Sequence, residues 1–244
     1  MTYPGGSRIN NAWLPRVQVA GVSSLEEALF CCKAGVGALG FTLSLPDGIH
    51  DDLTEDKARS IIRKLPGNVL TVLITYISTA KEACRLARYI GAAAVQFHGG
   101  VSGLELVAFR DDCPHTRTIA RVTVADERAI KEAERFRSPL WDAIILDSFD
   151  PDTGRRGATG IMHDWSVSAR IVQVSTVPVI LAGGLRPDNV AEAIQTVRPH
   201  AVDAHTGLEE ADGTRSPARI AAFAEAALKA FKRIFPISDL AHPS

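Results

Sequence analysis

Apolar residues along the chain fall in eight short runs, separated by segments whose apolar positions return every three or four residues. The runs cover residues 16–22, 38–43, 69–76, 92–98, 117–124, 142–148, 177–184 and 200–207. They are rich in β-branched residues and nearly free of polar interruption, as in VLTVLITY and AAAVQFH. Strands covered on both faces by parallel packing have this texture, whereas half-exposed strands alternate. The spacing between them predicts amphipathic helices over 24–35, 54–65, 79–91, 103–113, 125–137, 164–175 and 188–197, and a last one over 216–235. Thr54 with Lys57 and Thr79 with Glu82 mark helix starts, and Gly35 and Gly91 mark helix ends.

Strand followed by helix, eight times over with right-handed crossovers, closes most readily into an α/β single-domain (β/α)8 TIM barrel. An open doubly wound sheet is the rival. It usually carries Gly-x-Gly-x-x-Gly at its first strand-to-helix turn, and AGVSS at 20–24 is not that motif. The barrel is expected over 16–235, between an N-terminal extension at 1–15 and a C-terminal tail at 236–244. The length of 244 residues agrees with one barrel, for which about 250 is typical.

Composition narrows the possible partners. The hydrophobic fraction of 46% supports a large core, and a net charge of −1 with dispersed Lys and Arg gives no surface for nucleic acid or membrane. Four cysteines without a Cys-x-x-Cys and no His at ligand spacing argue against a metal and for a reduced, cytoplasmic protein. Neither a signal-type apolar segment nor a membrane-length apolar window is present. Cys31 and Cys32 are read as packing residues. No cofactor is implied, and the expected state is a monomer or homodimer acting on a small phosphorylated substrate.

In such a barrel, chemistry sits at the carboxyl ends of the strands. Two glycine-bearing ends, LAGGLRPDNV and VDAHTGLEE, would bring the amides of Gly183, Gly184 and Gly207, with the Thr206 hydroxyl, to one anion. These follow the seventh and eighth runs, the usual phosphate position. Asp147 closes the apolar run AIILDS and is a candidate general acid. His98 and His205 stand at equivalent tips and could move protons. Gln96, Arg121 and Asp47 are candidate substrate contacts, and Asp203, one layer deeper than His205, reads as structural support. The first run ends on Ala20, which carries no chemistry at all.

Read in order, VQFHG, LDS before RRGATGIMHDW, LAGGLRPDNV and VDAHTGLE resemble the motifs of the phosphoribosylanthranilate isomerase family across residues 16–232. The resemblance implies a barrel, a phosphosugar ligand, and Asp147 at the place of the family's general acid. The reaction is an Amadori rearrangement, in which an acid opens the ribosyl ring and a base removes the proton at C2. Three departures stand out. The family opens with Lys-Ile-Cys-Gly, its cysteine being the base, where this chain has Gln18 and Ala20; the segment 44–52 lacks the arginine that faces the anthranilate carboxylate; and the Ser-Ser pair after the eighth strand is His205-Thr206. His205, His98 and Asp47 are then the candidate bases. The expectation is an isomerase-like enzyme acting on a phosphorylated sugar derivative, with an altered substrate among the outcomes the departures allow. A paralogue with lyase or hydrolase chemistry in a specialised pathway, and a catalytically silent phosphosugar-binding protein, are the alternatives.

Overall fold

A computed structural model describes residues 12–45, 53–148 and 163–235. Eight parallel strands close into one barrel in chain order: β1 Val17–Val19, β2 Ala38–Thr42, β3 Leu70–Thr75, β4 Ala94–Phe97, β5 Arg117–Val124, β6 Ala143–Ser148, β7 Val179–Leu181 and β8 Ala201–Ala204. The helices outside it are α1 Leu25–Lys33, α2 Glu55–Ile62, α3 Ala80–Ile90, α4 Gly103–Asp112, α5 Arg128–Ala133, α6 Trp165–Val174, α7 Val190–Val197 and α8 Pro217–Ile234. A 3₁₀ turn, Thr206–Leu208, follows β8.

The near-continuous apolar runs have the physical cause expected of them. Residues pointing outward from the strands join the helices in one large core, in which Leu39, Phe41, Leu73, Leu86, Ile90 and Phe109 are fully buried. Inward residues form a second, smaller core containing Ala20, Val72, Ile74, Ala94, Ile119, Ala143, Ile145, Ile180, Ala182 and Ala201. Each strand therefore has two dry faces.

Local signals act mostly as read. The Ser24 and Thr54 hydroxyls accept the amides of Glu27 and Lys57, and Gly91 ends α3 with φ 83°. Thr79 departs from the expectation: its side chain makes no capping bond, and the Ala80 amide donates to Glu105 Oε2 at 2.6 Å instead. A carboxylate from the first turn of α4 satisfies the first free amide of α3, one that a capping side chain at Thr79 would not reach.

The amino-terminal floor of the barrel is closed by residues that the sequence placed in the extension. Leu14 is buried in the inner core with Trp13 packed beside it, because the floor must exclude water from Val72, Ala94 and Ile119. Arg16 braces the same end, donating to the His200 carbonyl at 2.8 Å and lying 4.8 Å from the centre of the Phe235 ring. Cys31, Cys84 and Cys113 are buried and unbridged, and burial pushes the Cys31 thiol up to about 12, so it is a packing group and not a nucleophile. Among the described residues no helix is long and apolar enough to cross a membrane, and no cluster of His, Cys, Asp and Glu could hold a metal ion.

Candidate active site at the carboxyl end of the barrel

Strand register decides which polar side chains share the interior. Gln18 of β1 pairs with Asp203 of β8. Ile145 pairs with Ile180, and Ile180 with Ala201. Two residues further on, Asp147, Ala182 and Asp203 therefore form one inward-facing row, the Ala182 methyl leaving space between two carboxyls. Both are nearly closed off, Asp147 at 5% and Asp203 at 6% exposure.

The electrostatics of this row follow from that burial. Desolvation raises Asp147 to about 6, against the opposing influence of the Ser148 amide, which donates to Oδ1 at 2.9 Å, and of the Arg121 charge. Asp203 is raised to about 7, by burial first and by repulsion from Asp147 second; hydrogen bonding to Gln18 and the charge of Arg215 act the other way. Asp203 Oδ1 and Gln18 Oε1 are both buried acceptors without a partner. A carboxyl buried with an oxygen left unpartnered is favoured in its protonated form. Asp203, read from the sequence as support, is thus the acidic neighbour of the candidate general acid.

A chain of amides crosses the barrel from there. Gln18 Nε2 donates to Gln96 Oε1 at 3.1 Å, and Gln96 Nε2 meets His98 Nε2 at 2.6 Å. Gln96 is 1% exposed and both ends of its amide are engaged, so it orients His98 from below the mouth. Burial, assisted by the Arg121 charge, depresses His98 to about 3 and keeps the ring neutral. Tyr76 packs against His98 with ring centres 5.7 Å apart, and the Arg121 guanidinium lies 6.0 Å from the centre of the Tyr76 ring. His98 just past the end of β4, Arg121 within β5 and Asp147 near the end of β6 thus line one side of the mouth.

On the other side stand Ala20 and His205. A Cβ on Gly21 would collide with the His205 ring, so the glycine that follows Ala20 leaves room for an imidazole from the neighbouring strand end. Arg215 fixes this arrangement: it donates to the Ala20 carbonyl at 2.5 Å and the His205 carbonyl at 2.6 Å, and its Nε lies 3.3 Å from Glu27. Glu209 places Oε1 3.4 Å from His205 Nδ1. Burial and Arg215 hold His205 at about 4. The hairpin that carries Arg215 turns at Gly213, with φ 82°, and bridges Glu209 to Arg215. Arg215 and Glu27 escaped the sequence reading: the fold-back brings Arg215 to the mouth, and Glu27 reaches it from α1.

Gly183 and Gly184 lie in the left-handed region, at φ 83° and 65°. Among the described residues their N–H groups donate no hydrogen bond, while the Gly184 carbonyl accepts from Asn189 at 3.0 Å. Gly207 serves a different need. A side chain there would strike the Leu185 carbonyl, so glycine lets the loops after β7 and β8 touch, with Thr206 beside the contact. His163, another residue that sequence reasoning passed over, brings Nδ1 close to Gly183 while its Nε2 meets Ser168 Oγ at 2.6 Å. Burial lowers it to about 4, and Nδ1 has no partner. Asp47 lies outside the described residues.

A family model described as N-(5'phosphoribosyl)anthranilate (PRA) isomerase matches residues 17–226. The chain belongs to the phosphoribosylanthranilate isomerase family. Relatives include N-(5'-phosphoribosyl)anthranilate isomerase 2 of Methanosarcina mazei, 32% identical over 223 residues that cover 91% of this chain and 98% of that one. The Haloarcula marismortui isomerase is 36% identical over 217 residues, covering 89% and 98%. The crystal structure of phosphoribosyl anthranilate isomerase from Thermotoga maritima, 30% identical, superposes with a TM-score of 0.75 over 88% of this chain and 100% of that one. Membership in the phosphoribosylanthranilate isomerase family agrees with both the closed barrel and the motif order, and the match spans all eight strands.

Proposed function

We propose that this protein catalyses the Amadori isomerisation of an N-(5'-phosphoribosyl) arylamine, with Asp147 as the general acid. The observation that carries the reading is the Asp147 carboxyl, buried at the end of β6 and raised to about 6, so that a proton is held inside the barrel mouth. An acid of this strength delivers its proton to the ring oxygen as the bond from C1 to that oxygen breaks, and the amine lone pair forms the C1–N iminium. Asp203 keeps the surroundings of Asp147 uncharged while it is itself protonated. Arg121 and His98 face the open sugar, and Gln96 holds His98 in place.

The 5-phosphate is assigned to the free amides of Gly183 and Gly184, the Thr206 hydroxyl and the lip that Gly207 makes possible. A related isomerase, 29% identical with a TM-score of 0.73, has been solved with reduced 1-(o-carboxyphenylamino)-1-deoxyribulose 5-phosphate, a ligand of this chemistry. The aryl group is the point of divergence. Asp47, Asp51 and Asp52, in the segment that lacks an arginine, disfavour a carboxylate.

Turnover of phosphoribosylanthranilate and of phosphoribosylaniline, which lacks the carboxylate, tests the proposal. Both should isomerise, the aniline compound at least as fast. Turnover of neither by the folded protein would overturn it.

A further inference from the structure

The isomerisation requires a base at C2, and Ala20 offers none. We propose that His205 is that base, with Glu209 and Arg215 as the residues that position it; the inference rests on the isomerase reading above. Four observations converge on it. The ring occupies the space above Gly21, at the tip of β1, across the mouth from Asp147. Its Nδ1 is buried without a hydrogen-bond partner and lies 3.4 Å from Glu209 Oε1, and the carboxylate beside it favours the tautomer with the hydrogen on Nδ1 and the lone pair on Nε2. The side chain is 35% exposed, with Nδ1 buried and Nε2 and Cδ2 lying over Gly21. Arg215 clamps the carbonyls of Ala20 and His205 together, fixing the imidazole to the strand end it serves.

The charges around the ring support a neutral base. Glu209 from the following turn, Arg215 from the hairpin and Glu27 from α1 are charged groups beside it, and burial first, with the Arg215 charge second, keeps the imidazole unprotonated down to about pH 4. A base this weak is adequate where the carbon acid is activated: ketosteroid isomerase uses an Asp of pKa about 4.6. Here the iminium supplies the activation. The C2–H bond breaks, its proton passes to Nε2, its electron pair forms C1=C2, and the iminium pair returns to nitrogen. The enaminol then loses its O2 proton to the Asp147 carboxylate and takes the Nε2 proton at C1, which regenerates both groups and yields the aminoketose.

His205→Ala, assayed on the two substrates above, tests the assignment. The expected result is a fall in kcat of about 100-fold or more with melting temperature and ribose 5-phosphate binding retained. Added imidazole should restore at least part of the rate, as should Ala20→Cys in the same background. Activity within threefold of native would overturn the proposal, and so would a loss that neither imidazole nor the thiol repairs. A native protein that turns over neither substrate would remove the isomerase reading and the base with it, an outcome that the native assay alone distinguishes.

Discussion

Asp203 illustrates how a site residue can be visible in the sequence and its role hidden. VDAHTG shows an acid two residues before a histidine, but that it flanks Ala182 opposite Asp147 is a matter of register across three strands. The same geometry sets a stability cost. With a folded pKa of about 7 against an ordinary 3.8, the buried carboxyl keeps its proton after the unfolded chain has lost it. Stability is therefore fully present below pH 3.8 and is lost as pH rises through 7. Asp203→Asn removes the ionisable group at nearly constant shape. The variant should be more stable than native at pH 8, by on the order of a few kcal/mol, and no more stable at pH 4. Chemical denaturation at the two pH values checks this, and a variant less stable at pH 8 would contradict the buried charge.

At the scale of elements, the barrel was legible because its cause is local: each strand must be apolar on both faces, and each helix on one stripe. Positions where distant segments meet were not. Gly207 reads in sequence as one of three amides on an anion; in the structure it allows the loop after β8 to lie against the Leu185 carbonyl. The fold-back of Arg215 onto Ala20, a bond spanning 195 residues, has no local signal at all. Asp147, Gly183 and Gly184 were legible because they interrupt apolar runs at strand ends, where a polar or left-handed residue has few structural uses. Gly207→Ala should push the two loops apart. It should weaken ribose 5-phosphate binding at least about tenfold, equivalent to 1.4 kcal/mol, with the barrel still folded by circular dichroism. Unchanged affinity in calorimetry would exclude these loops as the phosphate site.

For the whole molecule, the pH response combines two opposed sets of buried groups. Carboxyls raised by burial weaken the fold as pH rises, whereas histidines lowered by burial weaken it as pH falls. His200 is the clearest of the latter: it is 4% exposed, its Nδ1 accepts the Val179 amide at 3.0 Å, and burial beside Arg16 lowers it to about 4. Its contribution is present above the unfolded value of 6.5 and is lost as pH falls toward 4. His200→Asn should lose less stability than native between pH 6.5 and 4.5, the difference being roughly 2 kcal/mol. Parallel acid titrations of both proteins would show no divergence if the ring were already charged in the fold.

The central claim is that the barrel mouth performs acid-catalysed isomerisation through Asp147. The most direct measurement is the kcat of phosphoribosyl arylamine isomerisation against pH, followed by arylamine fluorescence, for native protein and Asp147→Asn. The native rate should decline as pH rises through about 6, where Asp147 gives up its proton, and the variant should be slower by about two orders of magnitude or more with an unchanged melting temperature. Equal rates in the two proteins, or no native turnover, would contradict the account.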